Sequence, residues 1–298
     1  MSAEIRPTVF DTSAPPDVLA LALAKPGKSY FVRVDGASVH YLGWGMEHTH
    51  KPALVFAHGL RAHARWWDFI APYFLDDYRV VAVDFSGMGD SEHRSHYDQM
   101  TFVQDLLGVM ADAGLAKAIV VGHSFGGVQV ARLCATAPDA VERAIIIDSK
   151  FDRIGELTNF GSDLSKSAPL YAGLDLALQR FRLLPAQPVA LPFLVDYIAK
   201  HSLRQTAEGW VWKFDRHMPL EQAVPARQEL LHRIKVPVDY IYGEFSAVVD
   251  CARAEWICES LGQHRSPYLI SNGYHHVMLT EPVALVSVLR TILSTRPA

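Results

Sequence analysis

Residues 118–127 read Ala-Ile-Val-Val-Gly-His-Ser-Phe-Gly-Gly, and their pattern is the most informative in the sequence. A short apolar run leads into a G-x-S-x-G pattern, and a helical pattern rich in small residues follows it to about residue 136. This order predicts a strand, a sharp turn with Ser124 at its tip, and a helix. The helix N-terminus would direct backbone N–H groups toward a developing oxyanion. Ser124 is therefore the candidate nucleophile, and the alternative is a tight turn that holds an inert serine.

Strands and helices alternate on both sides of this stretch. Apolar runs at 53–57, 78–83 and 143–148 predict buried strands, and residues 101–114 carry apolar side chains at helical spacing. The rhythm predicts an α/β fold, with right-handed βαβ units forming a mostly parallel, twisted sheet that has helices on both faces. Asp35-Gly36, between two alternating runs, predicts a hairpin near the start.

The chain is expected to have three parts. Residues 1–27 form an N-terminal arm with a short helix candidate, and residues 28–150 and 235–298 form the α/β core. Residues 151–234 interrupt the rhythm with prolines, aromatic residues and helical patterns, but with no convincing central strand. Ligands of open α/β sheets bind beyond the carboxyl ends of the strands, so this insertion is interpreted as a helical cap, or lid, over the site. The alternative is a structural extension that covers nothing.

The composition excludes several classes of function. Of the 298 residues, 50% are hydrophobic and 20% charged, which is typical of a globular protein. The formal charge of −4 provides no basic footprint for nucleic acid or for an anionic membrane surface. Three cysteines without a C-x-x-C pair indicate reduced thiols, and no targeting signal is recognised, so a cytoplasmic location is expected. The expected partner is a small-molecule substrate, and the oligomeric state stays open.

The general base and its acid partner are expected late in the chain. His275 and His276 lie between a strand candidate and the last helix, and position favours His275. An H-E-x-x-H motif is absent, so no metal site is predicted. A carboxylate should orient the base, and two aspartates are candidates for this role. Asp148 lies at the end of the strand after the helix that follows Ser124, and Asp250 lies in the loop after a later strand. Glu244 is a weaker third candidate.

A second constellation, His58-Gly59-Leu60, follows the strand candidate at 53–57. Glycine lets this loop bend over Ser124, so that the N–H groups of Leu60 and Phe125 can form an oxyanion hole. The residues that follow, 61–67, are basic and aromatic. One of the two tryptophans is expected to anchor the following helix in the core. The basic residues are interpreted as a solvated face, and the alternative is that they favour an anionic group at the mouth of a pocket.

In chain order, the serine turn, the His58-Gly59 loop and the late histidine resemble the α/β-hydrolase superfamily from about residue 28 onward. Residues 83–91, Val-Asp-Phe-Ser-Gly-Met-Gly-Asp-Ser, are similar to the D-x-x-G-x-G-x-S loop frequent in that family. Residues 273–282 resemble its late histidine motif, with His275 in the catalytic place. The resemblance implies the α/β-hydrolase fold with a cap insertion.

The chain departs from the family pattern at the acid. The usual acid lies three residues after the glycine that ends the late strand, and this chain has Ser246 there. Some superfamily members carry the acid after the earlier strand instead, and Asp148 resembles these. Asp148 is favoured over Asp250 because its position at the carboxyl end of a strand is better defined, although many relatives have a non-catalytic aspartate there.

The resemblance implies a serine hydrolase that cleaves an ester, or a related acyl or carbon–carbon bond, in a small and largely apolar molecule. Ser124, His275 and the aspartate would act without a cofactor. A serine at the elbow excludes haloalkane dehalogenase and epoxide hydrolase siblings, which use aspartate there. Two other functions are compatible with the sequence. One is a cofactor-independent oxygenase that uses the His–Asp pair, and the other is a ligand-binding protein of the same fold that has no catalytic activity.

The insertion offers two further hints about a ligand. Its aromatic side chains favour an apolar or aromatic acyl group, although such residues more often pack a small core of their own. Its arginines are candidates for binding a substrate carboxylate, although such residues are more often merely exposed: Arg180, Arg182, Arg204 and Arg216.

Overall fold

The computed structural model describes residues 17–154, 156, 169–218, 226–263 and 265–295. Its strands are β1 (Lys28–Val34), β2 (Ala37–Trp44), β3 (Ala53–Ala57), β4 (Arg79–Val83), β5 (Ala118–His123), β6 (Val141–Ile147), β7 (Phe151–Asp152), β8 (Leu203–Gln205), β9 (Trp210–Trp212), β10 (Ala226–Arg227), β11 (Val238–Gly243) and β12 (Tyr268–Ile270). Eight of them form one sheet in the order β1-β2-β4-β3-β5-β6-β11-β12.

The first two strands form the predicted hairpin. They pair antiparallel around Asp35 and Gly36, which have φ angles of 46° and 83°. Positive φ at both central residues gives the turn a twist that matches the twist of the strands. The pairing of β2 with β4 is also antiparallel, and every later pair in the sheet is parallel. The predicted mostly parallel sheet is confirmed.

Helices cover both faces of this sheet. They are α1 (Asp17–Leu23), α2 (Thr101–Asp112), α3 (Phe125–Thr136), α4 (Leu174–Leu178), α5 (Pro192–His201), α6 (Gln228–His232), α7 (Cys251–Leu261), α8 (Val277–Thr280) and α9 (Pro282–Ser294). Side chains of β3 alternate between two buried clusters: Val55 packs with α2, α3 and α7, while Leu54 and Phe56 pack on the face covered by α8 and α9. Both faces are therefore buried, as the continuous apolar runs predict.

The insertion is not wholly helical, which corrects the expectation of a helical cap. It contains α4 and α5, but β8 and β9 also pair antiparallel. The β9 segment Trp210-Val211-Trp212 consists of aromatic and β-branched residues, which favour strands. Gly209 turns the chain before it with φ 144°. Parts of the predicted insertion, residues 155, 157–168 and 219–225, lie outside the described residues.

The described part of the N-terminal arm begins with α1. Leu19 is buried, and the Tyr73 hydroxyl donates a 2.8 Å hydrogen bond to the carbonyl oxygen of Val18. Helix α1 therefore packs on the core, while residues 1–16 of the predicted arm lie outside the described residues. None of the helices in the described ranges has the length and apolar character needed to cross a bilayer.

Candidate active site

Ser124 lies at the turn between β5 and α3. Its backbone has φ 53° and ψ −118°, a strained conformation that non-glycine residues rarely adopt. Gly122 and Gly126, on either side of Ser124, are required because neighbouring backbone leaves no room for a Cβ atom. A Cβ on Gly122 would lie 2.6 Å from the carbonyl oxygen of Gly126, and a Cβ on Gly126 would lie 2.5 Å from that of Ala57. The predicted strand, sharp turn and helix are all present, with the serine side chain half-buried at the tip.

His275 lies in the loop between β12 and α8, and its ring reaches Ser124. The Nε2 atom lies 3.0 Å from Ser124 Oγ, and the Nδ1 atom lies 2.8 Å from Asp148 Oδ1. With the proton on Nδ1, the ring donates to the carboxylate and Nε2 can accept the hydroxyl proton of the serine. The structure thus brings the three residues favoured by the sequence into one hydrogen-bonded chain.

Asp148 directly follows β6 and is fully buried. Its Oδ2 atom accepts a 2.9 Å hydrogen bond from the backbone N–H of Gly243, and its Oδ1 atom accepts a 2.6 Å hydrogen bond from the hydroxyl of Ser246. The bond to His275 Nδ1 completes the set. Each donor reaches a lone pair of the carboxylate, so the three hydrogen bonds together fix its orientation toward the histidine ring.

The two other acid candidates have other partners. Asp250 is the exposed N-cap of α7, where its Oδ1 atom accepts a 2.7 Å hydrogen bond from the N–H of Arg253. Glu244 is exposed, and its Oε2 atom accepts from the N–H of Asn272 at 2.9 Å. Neither carboxylate is hydrogen-bonded to His275, so the geometry favours Asp148.

The two predicted oxyanion donors lie beside the serine. Phe125 is the first residue of α3, and Leu60 follows Gly59, whose Cα is so close to the elbow that an added Cβ would lie 3.5 Å from Ser124 Cβ. Within the described residues, neither the Phe125 nor the Leu60 N–H donates a hydrogen bond. Both N–H groups are therefore available to a ligand oxygen.

Buried His58 holds the Leu60 loop in place. Its Nε2 atom accepts a hydrogen bond from the N–H of Phe85 at 3.2 Å, so Nδ1 carries the proton and donates to the carbonyl oxygen of Gly59 at 2.7 Å. Burial lowers the pKa of His58, which keeps the ring neutral and preserves this tautomer. His58 is thus a positioning residue for the loop.

A cavity of about 300 Å³ opens onto Ser124 and His275. Core residues of the 59–62 loop, together with Trp66, His123 and His276, form one part of its wall. The insertion forms the other part with residues 180–184, Ser202, Trp212 and Phe214. A ligand in this cavity would contact core and insertion together.

Comparison with known proteins shows the family of this chain. A model of the alpha/beta hydrolase fold matches residues 52–240. The chain belongs to that family. Its relatives include a serine hydrolase-like protein of Danio rerio, 25% identical over 275 residues, or 84% of this chain and 83% of the relative. An esterase of Mycobacterium tuberculosis is 24% identical over 273 residues, or 89% of each chain. The fold is similar to that of E-2-(acetamidomethylene)succinate hydrolase, with a TM-score of 0.75 at 17% identity over 90% of this chain and 100% of the other.

Sequence reasoning missed the part played by Ser246 in this α/β-hydrolase fold protein. The residue stands where the family usually has its acid, and its hydroxyl donates to the carboxylate of Asp148. It also accepts hydrogen bonds from the N–H groups of Val248 and Val249, at 3.1 and 3.2 Å, so its own proton is directed at the carboxylate. The departure from the family motif was the signal that could have revealed this contact.

Two further histidines surround His275. The Nε2 atom of His123 donates to the carbonyl oxygen of His275 at 2.9 Å, which ties the elbow to the histidine loop. Burial, and to a lesser extent the neighbouring His275, holds the pKa of His123 well below its usual range and lowers that of His276 to about 3. Both rings are therefore neutral near pH 7. One ring nitrogen from each of the three histidines lies within 4.8 Å of the other two. However, Nε2 of His123 and both ring nitrogens of His275 already take part in hydrogen bonds.

Proposed function

We propose that the chain is a serine hydrolase that cleaves an ester or a related acyl bond of a small molecule. The proposal rests on the contacts that link Ser124 Oγ to His275 Nε2 and His275 Nδ1 to Asp148 Oδ1. A nucleophile, a base within hydrogen-bond reach and a third group that orients the base are the parts that acyl transfer requires.

In the proposed reaction, His275 takes the hydroxyl proton as Ser124 Oγ attacks the substrate carbonyl carbon. The buried carboxylate of Asp148 holds the reactive tautomer and stabilises the imidazolium that forms. The negative charge that develops on the substrate oxygen is stabilised by the N–H groups of Leu60 and Phe125. Collapse of the intermediate gives an acyl-enzyme and a leaving group protonated by His275, and water then releases the acid by the reverse steps.

Three observations support an ester or acyl substrate of modest size. The relatives include proteins described as esterases, the cavity is about 300 Å³, and apolar side chains such as Phe181, Leu183 and Trp212 line it. Because residues of the insertion form part of the cavity wall, the insertion acts in this proposal as a lid that keeps bulk water from the acyl-enzyme. Cleavage of a carbon–carbon bond between a carbonyl and an acidic carbon would use the same residues.

The test is hydrolysis of p-nitrophenyl acetate and butanoate by the purified wild type and by Ser124→Ala. We expect the variant to fall to the background rate, a drop on the order of 10⁶-fold where a complete triad acts. The control is Ser287→Ala, an exposed serine of α9 outside the cavity, which should keep full activity. A folded Ser124→Ala protein with activity within tenfold of the wild type would overturn the proposal.

A further inference from the structure

The cavity at the proposed active site has an unusual charge for this chain. The protein carries a formal net charge of −4. However, three arginines line the cavity, Arg61, Arg180 and Arg182, and none of the other described residues in its wall is an aspartate or glutamate. Arg180 and Arg182 are exposed on the insertion, whereas Arg61 is partly buried next to the oxyanion loop. A pocket lined by one sign of charge attracts ligands of the opposite sign.

The partly buried position of Arg61 is held by its backbone and its ring contact. The residue follows Leu60, has φ 59°, and donates its N–H to Met88 Sδ at 3.1 Å. Its guanidinium carbon lies 5.1 Å from the centroid of the Phe214 ring, which belongs to the insertion and also lines the cavity. The side chain therefore lies against the cavity wall and is only partly exposed to solvent.

Among the described residues, the guanidinium of Arg61 has no carboxylate partner, unlike those of three other arginines with low exposure. Arg65, Arg94 and Arg143 each form an ion pair with an aspartate, at distances between 2.6 and 3.1 Å. No such pair reaches the Arg61 guanidinium anywhere in the described ranges. Burial, and then the neighbouring charge of Arg216, lowers the pKa of Arg61, because both destabilise its cationic form.

A second buried donor lines the same cavity. Trp66 is 6% exposed, and its Nε1–H makes no hydrogen bond to any residue that the structure describes. A buried donor left without an acceptor costs free energy, which an acceptor on a ligand would recover. The cavity thus presents a cation and a neutral N–H donor, both without an acceptor among the described residues.

We propose that this cavity binds esters that carry a carboxylate, and that Arg61 pairs with that carboxylate. The inference rests on the proposed hydrolase function and specifies its substrate class. Guanidinium and carboxylate match in a bidentate geometry, and in a partly desolvated site such a pair is stronger than in water. Because Arg61 follows Leu60 directly, the carboxylate binds on the oxyanion side of Ser124.

The experiment compares charged and neutral esters of similar size. Mono-p-nitrophenyl succinate places the carboxylate on the acyl side, with p-nitrophenyl butanoate as its neutral counterpart. Para-acetoxybenzoate places it on the leaving group, with its methyl ester as the neutral counterpart. The kcat/KM values are measured for the wild type, Arg61→Ala, Arg61→Lys and Arg204→Ala, with the rate of Ser124→Ala subtracted as background. Arg204 is an exposed arginine of β8 that does not line the cavity, so it serves as the matched control.

We expect the wild type to prefer the charged ester in at least one pair. Arg61→Ala should lower the ratio of charged to neutral kcat/KM by about 10- to 100-fold, the usual effect of removing a hydrogen bond to a charged group. Arg61→Lys should restore part of the ratio, and Arg204→Ala should leave it unchanged. The pair that responds identifies the side of the ester that bears the carboxylate.

The failure of this inference is distinguishable from failure of the proposed function. Hydrolysis of the neutral esters that depends on Ser124, with charge ratios that Arg61→Ala does not change, overturns the carboxylate proposal and leaves the hydrolase in place. Absence of Ser124-dependent hydrolysis for all four esters overturns both.

Discussion

Replacement of Asp148 by asparagine tests the acid member of the proposed triad. The carboxylate is fully buried and accepts three hydrogen bonds: from His275 Nδ1 at 2.8 Å, from the Ser246 hydroxyl at 2.6 Å and from the Gly243 N–H at 2.9 Å. Asparagine has almost the same shape, but one of its two terminal groups is a donor. The substitution therefore changes hydrogen bonding with little change in volume.

The direction of the effect follows from these contacts. The Gly243 N–H needs an acceptor, so the amide oxygen of the substituted side chain should take the Oδ2 place and its NH₂ group should face His275. The ring must then accept at Nδ1 and carry its proton on Nε2, which faces Ser124 and leaves the hydroxyl without a base. An exchange of this kind in a Ser-His-Asp triad lowers kcat by about 10⁴-fold. The reverse orientation of the amide leaves a buried N–H unsatisfied and costs about 1–3 kcal/mol of stability.

The assay is kcat/KM for p-nitrophenyl butanoate, with the thermal unfolding midpoint as a check on folding. The matched control is Asp250→Asn. Asp250 caps α7 by accepting from the Arg253 N–H, and asparagine caps as well as aspartate, so this variant should keep its activity. A folded Asp148→Asn enzyme with more than a tenth of wild-type activity would refute the reasoning, and a large loss in Asp250→Asn would move the acid to that residue.

Three further expectations concern the surroundings of the triad. Ser246→Ala removes one of the hydrogen bonds that orient the Asp148 carboxylate toward His275, so kcat/KM should fall by about tenfold. Gly126→Ala places a Cβ against a backbone oxygen and should lower the free energy of unfolding by about 1–3 kcal/mol. The control is Gly173→Ala, which should be tolerated because no atom lies within 4 Å of the added Cβ. Burial alone would raise the pKa of Asp84, but the hydrogen bond and charge of His40 hold that pKa well below its usual range. The ionised carboxylate therefore stabilises the folded protein above the pKa of about 3.9 that aspartate has in the unfolded chain. This contribution to the free energy of unfolding is lost as the pH falls toward the pKa of the folded state.

Each expectation has an outcome that contradicts it. An unchanged kcat/KM in Ser246→Ala would mean that this hydroxyl does not orient the carboxylate. Equal denaturation midpoints for Gly126→Ala and Gly173→Ala would contradict the close packing under the elbow. For Asp84, urea unfolding of the wild type and Asp84→Asn is compared between pH 3 and pH 7. The variant should lose this part of the pH dependence, and parallel curves would mean that other groups cause it.

The sequence predicted the parts of the site that depend on local pattern. The strand, turn and helix around Ser124 follow from an apolar run, a G-x-S-x-G pattern and small residues in succession. The acid does not follow from local pattern, because His275 lies 127 residues beyond Asp148 and their contact depends on how β6, β11 and β12 align. Spacing along the chain left two aspartates open, and only the distances in the folded chain distinguish them.

The insertion was less predictable for a related reason. Its prolines and aromatic residues fit a helical cap, but the short strands β8 and β9 stabilise each other only when they pair, which periodicity over three residues cannot reveal. Arg61 was interpreted as part of a solvated face. Its position at the cavity wall depends on a contact with Phe214 across 153 positions of the chain, which no local pattern encodes.

Labelling with a fluorophosphonate probe, which reacts with activated serines, tests whether Ser124 is the nucleophile, and mass analysis of the peptides locates the modified residue. We expect the wild type to be modified at Ser124 and Ser124→Ala to remain unmodified, while both proteins unfold at similar temperatures. A well-folded wild type that resists the probe, or that is labelled equally after the substitution, would contradict the assignment of Ser124 as the nucleophile.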